Sequence, residues 1–223
     1  MGGGLRQIIG VLMLILAASP LTAAQEGLPK ERIIAALRQK VQATLPPPEV
    51  KRIEIDARFA LRIGGRPPCS FEGTLVQEGE TRTLKTGALP AQCAQFRDEV
   101  GTIFGTAAQV SGVFLGNYAH ELIGERVIGG DRQYQIRARA RDPEENLYLM
   151  EIWISWETGL IRDGLLYIRK PKIDPISIVQ TFYQEDRRWL LKSVRARTAF
   201  IFLLFFRTRV EIDIDITSHR YFL

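Results

Sequence analysis

From Lys51 to the C-terminus the sequence keeps returning to a period of two, and this limits the possible folds more than any other feature. Val210, Ile212, Ile214 and Ile216 alternate with Arg209, Glu211, Asp213 and Asp215. Ile53, Ile55, Ala57, Phe59, Leu61 and Ile63 alternate in the same way with Glu54, Asp56, Arg58 and Arg62. On a helix this pattern would scatter apolar side chains around the axis, whereas on a strand it gathers them on one face. Tyr134, Ile136, Ala138 and Ala140 repeat it against Gln133, Gln135, Arg137, Arg139 and Arg141. In Leu147–Glu157 the face made by Tyr148, Met150, Ile152, Ile154 and Trp156 is wholly apolar. Further strands are expected at Cys69–Gln77, Thr81–Thr86 and Leu160–Lys170, and around Ile176–Tyr183 and Trp189–Thr198. Between them stand Gly64-Gly65, Glu78-Gly79, Gly129-Gly130-Asp131, Asp142–Asn146, Thr158-Gly159 and Glu185–Arg188. Turns this short connect antiparallel neighbours.

One helix precedes the strands. Ile33, Ile34, Leu37 and Val41 fall at helical spacing within Leu28–Ala43, and Pro46-Pro47-Pro48 ends the run. Ala91–Ala119 is rich in Gly and Ala without a sustained period, so short helices and loops are expected there. The fold class is therefore mainly β (α+β): a strongly curved antiparallel sheet, or incomplete β-barrel, wrapping an N-terminal amphipathic helix. One helix covers only part of so wide a sheet, which leaves apolar surface for a hydrophobic cavity. Its candidate lining is Phe59, Leu61, Tyr134, Ile136, Ala138, Met150, Ile152, Ile154, Trp156, Ile212 and Ile214. Small residues in these rows, Ala57, Ala138 and Ala140, either leave volume for a ligand or admit the helix against the sheet. A sixteen-carbon acyl chain buried there would contribute on the order of 10 kcal/mol before ordering costs, at about 0.8 kcal/mol per methylene.

The N-terminus points to export. Arg6 precedes the apolar stretch Ile8–Ala18, Pro20 breaks it, and Thr22-Ala23-Ala24 supplies small residues for a signal peptidase. The stretch is short for roughly 30 Å of hydrocarbon. Residues 1–24 read as a cleaved signal and residues 25–223 as one domain, periplasmic or secreted. No Cys stands at the cut, so a lipoprotein start is not supported. Cys69 and Cys93 are an even pair in an oxidising compartment, without C-x-x-C spacing, and read as a disulfide.

Apolar residues make up 46% and charged residues 25%, which excludes global disorder and a multi-span membrane protein. The formal charge of +5 comes without a basic run, too little to argue for nucleic acid. His120-Glu121 opens like a zinc-binding H-E-x-x-H, but Gly124 stands in the fifth position, and His219 is the only other histidine. No metal site, no cofactor, no G-x-S-x-G elbow and no phosphate-binding Gly loop is read, so no catalytic residue is named and an enzyme is not expected. The carboxylate row Glu211, Asp213 and Asp215 reads as a solvated salt-bridging face. Phe200–Phe206, seven apolar residues without alternation, reads as a buried strand or crossover. Alternatively Phe200, Phe202, Phe205 and Phe206 form a lid or gate over a cavity.

The order of elements resembles that of the outer-membrane lipoprotein carrier (LolA-like) and lipoprotein-sorting families. The resemblance is carried by the export signal, the amphipathic helix, the long strand series and the apolar lining. Its most specific stretch is Leu122–Gly130 (Leu-Ile-Gly-Glu-Arg-Val-Ile-Gly-Gly) with Tyr134-Gln135-Ile136, ahead of Ile152–Ile161. The resemblance implies an incomplete β-barrel with a helical lid that holds acyl chains in its hollow, without catalysis. Its partners would be a lipid or an acylated lipoprotein, with inner- and outer-membrane proteins as further candidates. The same fold also serves as a periplasmic sensor and protein-interaction domain, which is the alternative reading.

Overall fold

The computed structural model describes residues 28–79, 81–87, 89–94, 97–169, 173–186, 188–202 and 206–223. The expected signal, residues 1–24, and the gate candidate Phe205 lie outside the described residues.

Helix α1 (Lys30–Thr44) buries Ile33, Leu37 and Val41 on one stripe. It stops because Leu45 precedes a proline: the ring of Pro46 disfavours the helical conformation for Leu45, which is extended (φ −73°, ψ 154°). Strands β1 (Arg52–Ile63), β2 (Cys69–Glu78) and β3 (Thr81–Thr86) follow. The short helix α2 (Ala91–Ala94) leads into the long helix α3 (Arg97–Leu115). A meander then runs through β4 (Tyr118–Ile128), β5 (Asp131–Ala140), β6 (Leu147–Ser155), β7 (Ile161–Ile168), β8 (Ile176–Glu185), β9 (Arg188–Phe202) and β10 (Phe206–Phe222).

All ten strands form one antiparallel sheet in the order β3-β2-β1-β10-β9-β8-β7-β6-β5-β4. The sheet is open, with β3 and β4 at its edges. Laid flat it would be about 43 Å across, at roughly 4.8 Å per strand, and two helices of about 10 Å diameter could not cover it. Yet one contiguous core joins both helices to residues from both ends of the strand order. The sheet therefore curls around the helices. Among the described residues no helix is long and apolar enough to cross a membrane.

The expectation for residues 91–119 is corrected. Instead of short helices and loops, α3 is a single 19-residue helix, and it enters the core together with α1. Gly101, Gly105 and Gly112 give it poor intrinsic propensity, so its helicity comes from tertiary packing. Val100, Ile103, Phe104, Ala107, Val110 and Phe114 form its buried stripe. A strand at β4 escapes the period-two pattern because a bulge between Leu122 and Gly124 shifts its register on β5. A second bulge corrects the face of β6. Between Leu147 and Leu149 the register slips, so Leu147 is buried beside Met150 while the Tyr148 ring turns to Tyr167 and Arg169.

Candidate functional site

The buried side of the sheet is built in cross-strand rows. Ile136, Ile152, Gly164, Ile178, Ala196, Ile212, Leu61 and Cys69 stand opposite one another from β5 to β2. Beside this row run Val194, Ile214, Phe59 and Phe71, where Phe59 stacks on Phe71 at 4.8 Å and meets the edge of Phe104 from α3 at 5.3 Å. All eleven sequence-predicted lining residues are buried in this core. The most exposed of them is Trp156, at 8%, at the turn after β6. At Gly164 the small residue serves packing, because a Cβ there would lie 2.6 Å from the Glu151 carbonyl and 2.8 Å from Ile152 Cγ2.

The two helices are fixed in different ways. Before α3, Cys93 in α2 is disulfide-bonded to Cys69 at the start of β2. After α3, only Gly116 and Asn117 separate Leu115 from β4, and Tyr118 Oη donates to the Leu147 carbonyl at 2.5 Å. Inside the core, Gln180 Nε2 donates to the Ala107 carbonyl at 2.8 Å, while its Oε1 is buried without a hydrogen-bond partner among the described residues. These ties hold α3 at both ends and in the middle.

Helix α1 depends on a polar latch besides its apolar stripe. Arg38 Nη2 donates to the Leu115 carbonyl at 2.8 Å, at the C-terminus of α3, where the helix dipole and unmatched carbonyls favour a cation. His120 Nε2 lies 2.9 Å from the Phe114 carbonyl, and Arg38 Nη1 lies 3.3 Å from His120 Nδ1. This geometry fits a neutral imidazole that donates from Nε2 and accepts at Nδ1. Burial lowers the His120 pKa below its usual value, and the neighbouring Arg38 and Arg141 charges lower it further against the Phe114 hydrogen bond. Two residues further along α1, Lys40 Nζ lies 4.9 Å from the Trp156 ring centroid, and Trp156 meets Tyr134 edge-on at 5.5 Å. Gly159 is the seat: its φ is +72°, and a Cβ there would come within 2.5 Å of the Lys40 backbone.

Arg38, His120, Gln180 and Gly159 were not singled out as a site by the sequence. His120 enters the sequence reading only as the start of an incomplete zinc motif, and Gly159 only as part of a Thr-Gly turn. His219, the second histidine, stands opposite Ile55 on β10, between the rings of Tyr183 and Tyr221 at 6.4 Å each. Burial lowers its pKa, and its Nδ1 is buried without a hydrogen-bond partner among the described residues. Among the described residues no three His, Cys, Asp or Glu side chains gather as a metal would need.

The solvent side carries the expected ion pairs. Glu211 binds Arg197 at 2.7 Å and Arg62 at 3.1 Å, and the Arg197 hydrogen bond holds its carboxyl below the usual range. Asp213 binds Arg195 at 2.7 Å. A pocket of about 190 Å³ on this side is lined by Trp153, Asp163, Leu165 and Val179, among others. That is smaller than sites for drug-sized ligands, roughly 300–1,000 Å³, and it lies across the sheet from the eleven lining residues. Among the gate candidates, Phe200 is buried and bridges to Ile173, while Phe202 and Phe206 stand opposite each other where β9 ends and β10 begins.

No family model and no curated protein matches the sequence. Solved structures do match it. A DUF1329 family protein from Desulfovibrio piger is 14% identical with a TM-score of 0.51, over 87% of this chain and 94% of that one. A domain assigned to outer membrane lipoprotein sorting, from Vibrio parahaemolyticus, is 9% identical with a TM-score of 0.50, over 86% and 93%. A LolA superfamily protein from Nitrosomonas europaea is 9% identical with a TM-score of 0.48, over 87% and 94%. The first two likenesses show a shared fold, in line with the resemblance read from the sequence.

Proposed function

We propose that this protein is an exported, non-enzymatic carrier that shelters the acyl chains of a lipid or acylated lipoprotein beneath α1. The observation that carries this reading is the contrast between the two helices over one apolar face. Helix α3 is tied at both ends, whereas α1 is held by Arg38, by the Gly159 seat and by a three-residue apolar stripe, and joins the sheet through the Pro46–Pro48 segment. Release of the latch would uncover Trp156, and Tyr134 beside it, and an acyl chain would take the place of Ile33, Leu37 and Val41 in the core. Binding is then partition: apolar surface is exchanged for apolar surface, with no bond made or broken. Membrane proteins at the donor and acceptor bilayers would be the partners in loading and unloading.

A specific observation favours the second reading, a periplasmic sensor or interaction domain with a closed core. Ile136, Ala138, Met150, Ile152, Ile154 and Ile214 have no exposure at all, so water-sized space is absent beside them. Organic extraction and mass spectrometry of the protein, exported from its full-length gene, separates the two. A stoichiometric lipid supports the carrier. Clean protein that also fails to bind a fluorescent fatty acid supports the closed domain, with a specific polypeptide expected in pull-downs.

A further inference from the structure

We propose that β4 is a self-association edge, on which a second copy of this chain adds its own β4 in antiparallel register. The two edges of the sheet are unlike. β3 has 6 residues, with Thr81, Thr83 and Lys85 exposed, a short polar edge of the kind that discourages pairing. β4 has 11 residues, contains neither Lys nor Pro, and carries Val127 and Ile128 at 63% and 54% exposure. Among the described residues its backbone bonds only to β5 and, at Tyr118, to the Gly116 carbonyl, so its outer row of N–H and C=O groups is open. The contact from Arg38 of α1 reaches a β4 side chain, His120, and leaves that row untouched.

The bulge decides the occupant. Leu122 stands opposite Ile136 and Gly124 opposite Gln135, so Ile123 is an extra residue and the alternation of faces changes phase across it. Before the bulge, Ala119 and Glu121 lie on the wet face, where Glu121 reaches Arg137 at 3.5 Å, while His120 and Leu122 lie on the core face. After it, Arg126 and Ile128 take the wet face and Glu125 and Val127 the other. Arg126 is held there by Asp163 and lies 4.0 Å from the Trp153 ring centroid. A two-fold axis normal to the sheet, between Ile123 and Gly124, lays the first arm of each copy against the second arm of the other. Wet face then meets wet face, with Glu121 opposite Arg126 and Ala119 opposite Ile128. On the core face Val127 comes beside His120, and Leu122 beside Glu125. Both exposed β-branched side chains gain a cross-strand neighbour, and two opposite-charge pairs form per dimer. An unrelated strand would share the backbone bonds but not the match of faces and charges.

The test is analytical ultracentrifugation of the exported protein over a range of concentrations. One strand pair is a small interface, so a reversible dimer in the micromolar range is expected. Glu121→Lys places like charges opposite each other twice per dimer and should weaken association about tenfold. Val127→Lys/Ile128→Lys guards the edge at exposed positions and should leave a folded monomer. Ala119→Cys/Ile128→Cys tests the register. Those two positions lie about 30 Å apart along one strand, too far to bond within a chain, so oxidation should give a covalent dimer. A wild type that stays monomeric overturns the proposal and leaves the edge to a strand of another protein. A lysine double variant that dimerises like wild type, or a cysteine pair that does not cross-link, overturns it as well. None of these readouts involves lipid, so the carrier reading stands or falls separately.

Discussion

His120 couples the contact between the two helices to pH. Its pKa is lowered in the folded chain, so the fold favours the neutral ring, and the associated stability is complete above the unfolded value of about 6.5. As pH falls below that value the unfolded chain binds a proton first, and stability is lost until the pH has passed the folded value. Protonation also sets a positive ring against Arg38. The expected outcome is a urea midpoint that drops on acidification from about pH 7 to 5. His120→Gln, which keeps a donor for the Phe114 carbonyl, should remove part of that slope. His219 is also shifted down by burial and contributes the rest. Asp56 and Glu211 do not confuse this window. Their pKa values are lowered by hydrogen bonds from Thr74 and Ser218, and from Arg197, so their contribution is lost only in stronger acid, below about 4. An unchanged midpoint across the histidine window would refute the neutral-ring geometry.

Among the elements, α1 and α3 respond to different changes. Gly159→Ala places a methyl group against the Lys40 backbone and in a left-handed conformation, so it should unseat α1. A loss of at least about 2 kcal/mol is expected, with faster hydrogen exchange in residues 30–44 and little change in the sheet. Cys69→Ser/Cys93→Ser should instead cost about 3.5 kcal/mol, the chain-entropy value for a 25-residue loop, and should loosen α3. Equal exchange profiles in the two variants would contradict the division into a fixed and a releasable helix. The strands with clean alternation, β1 and β10, were legible because one wet face and one packed face leave a period of two in the sequence. Helix α3 was not, since a Gly- and Ala-rich segment becomes helical only once a sheet is there to pack on. The eleven lining residues could be assigned to one face for the same reason as the strands. The residues that hold the covers in place could not, because Arg38 and Leu115 are brought together by tertiary packing across 77 positions.

For the whole molecule, an acyl ligand bound only by the folded state should raise the melting temperature by mass action. At a hundred times its Kd the gain is about 2.7 kcal/mol, which for a chain of this size is about 5–10 °C. Exchange in α1 should quicken as the sheet becomes more protected, and a rise without that change would place the ligand elsewhere. The strand order has one more consequence. Among the described strands β10 comes last in the chain yet is the fourth in the sheet, and it alone joins β3-β2-β1 to the block from β9 to β4. Until it emerges, β1 and β9 each present a bare edge and the sheet exists as two unjoined pieces. The pairing of Arg52 with Phe222 spans almost the whole described chain, so locking is both late and slow. A chain built this way keeps its sheet in two pieces until β10 has been made.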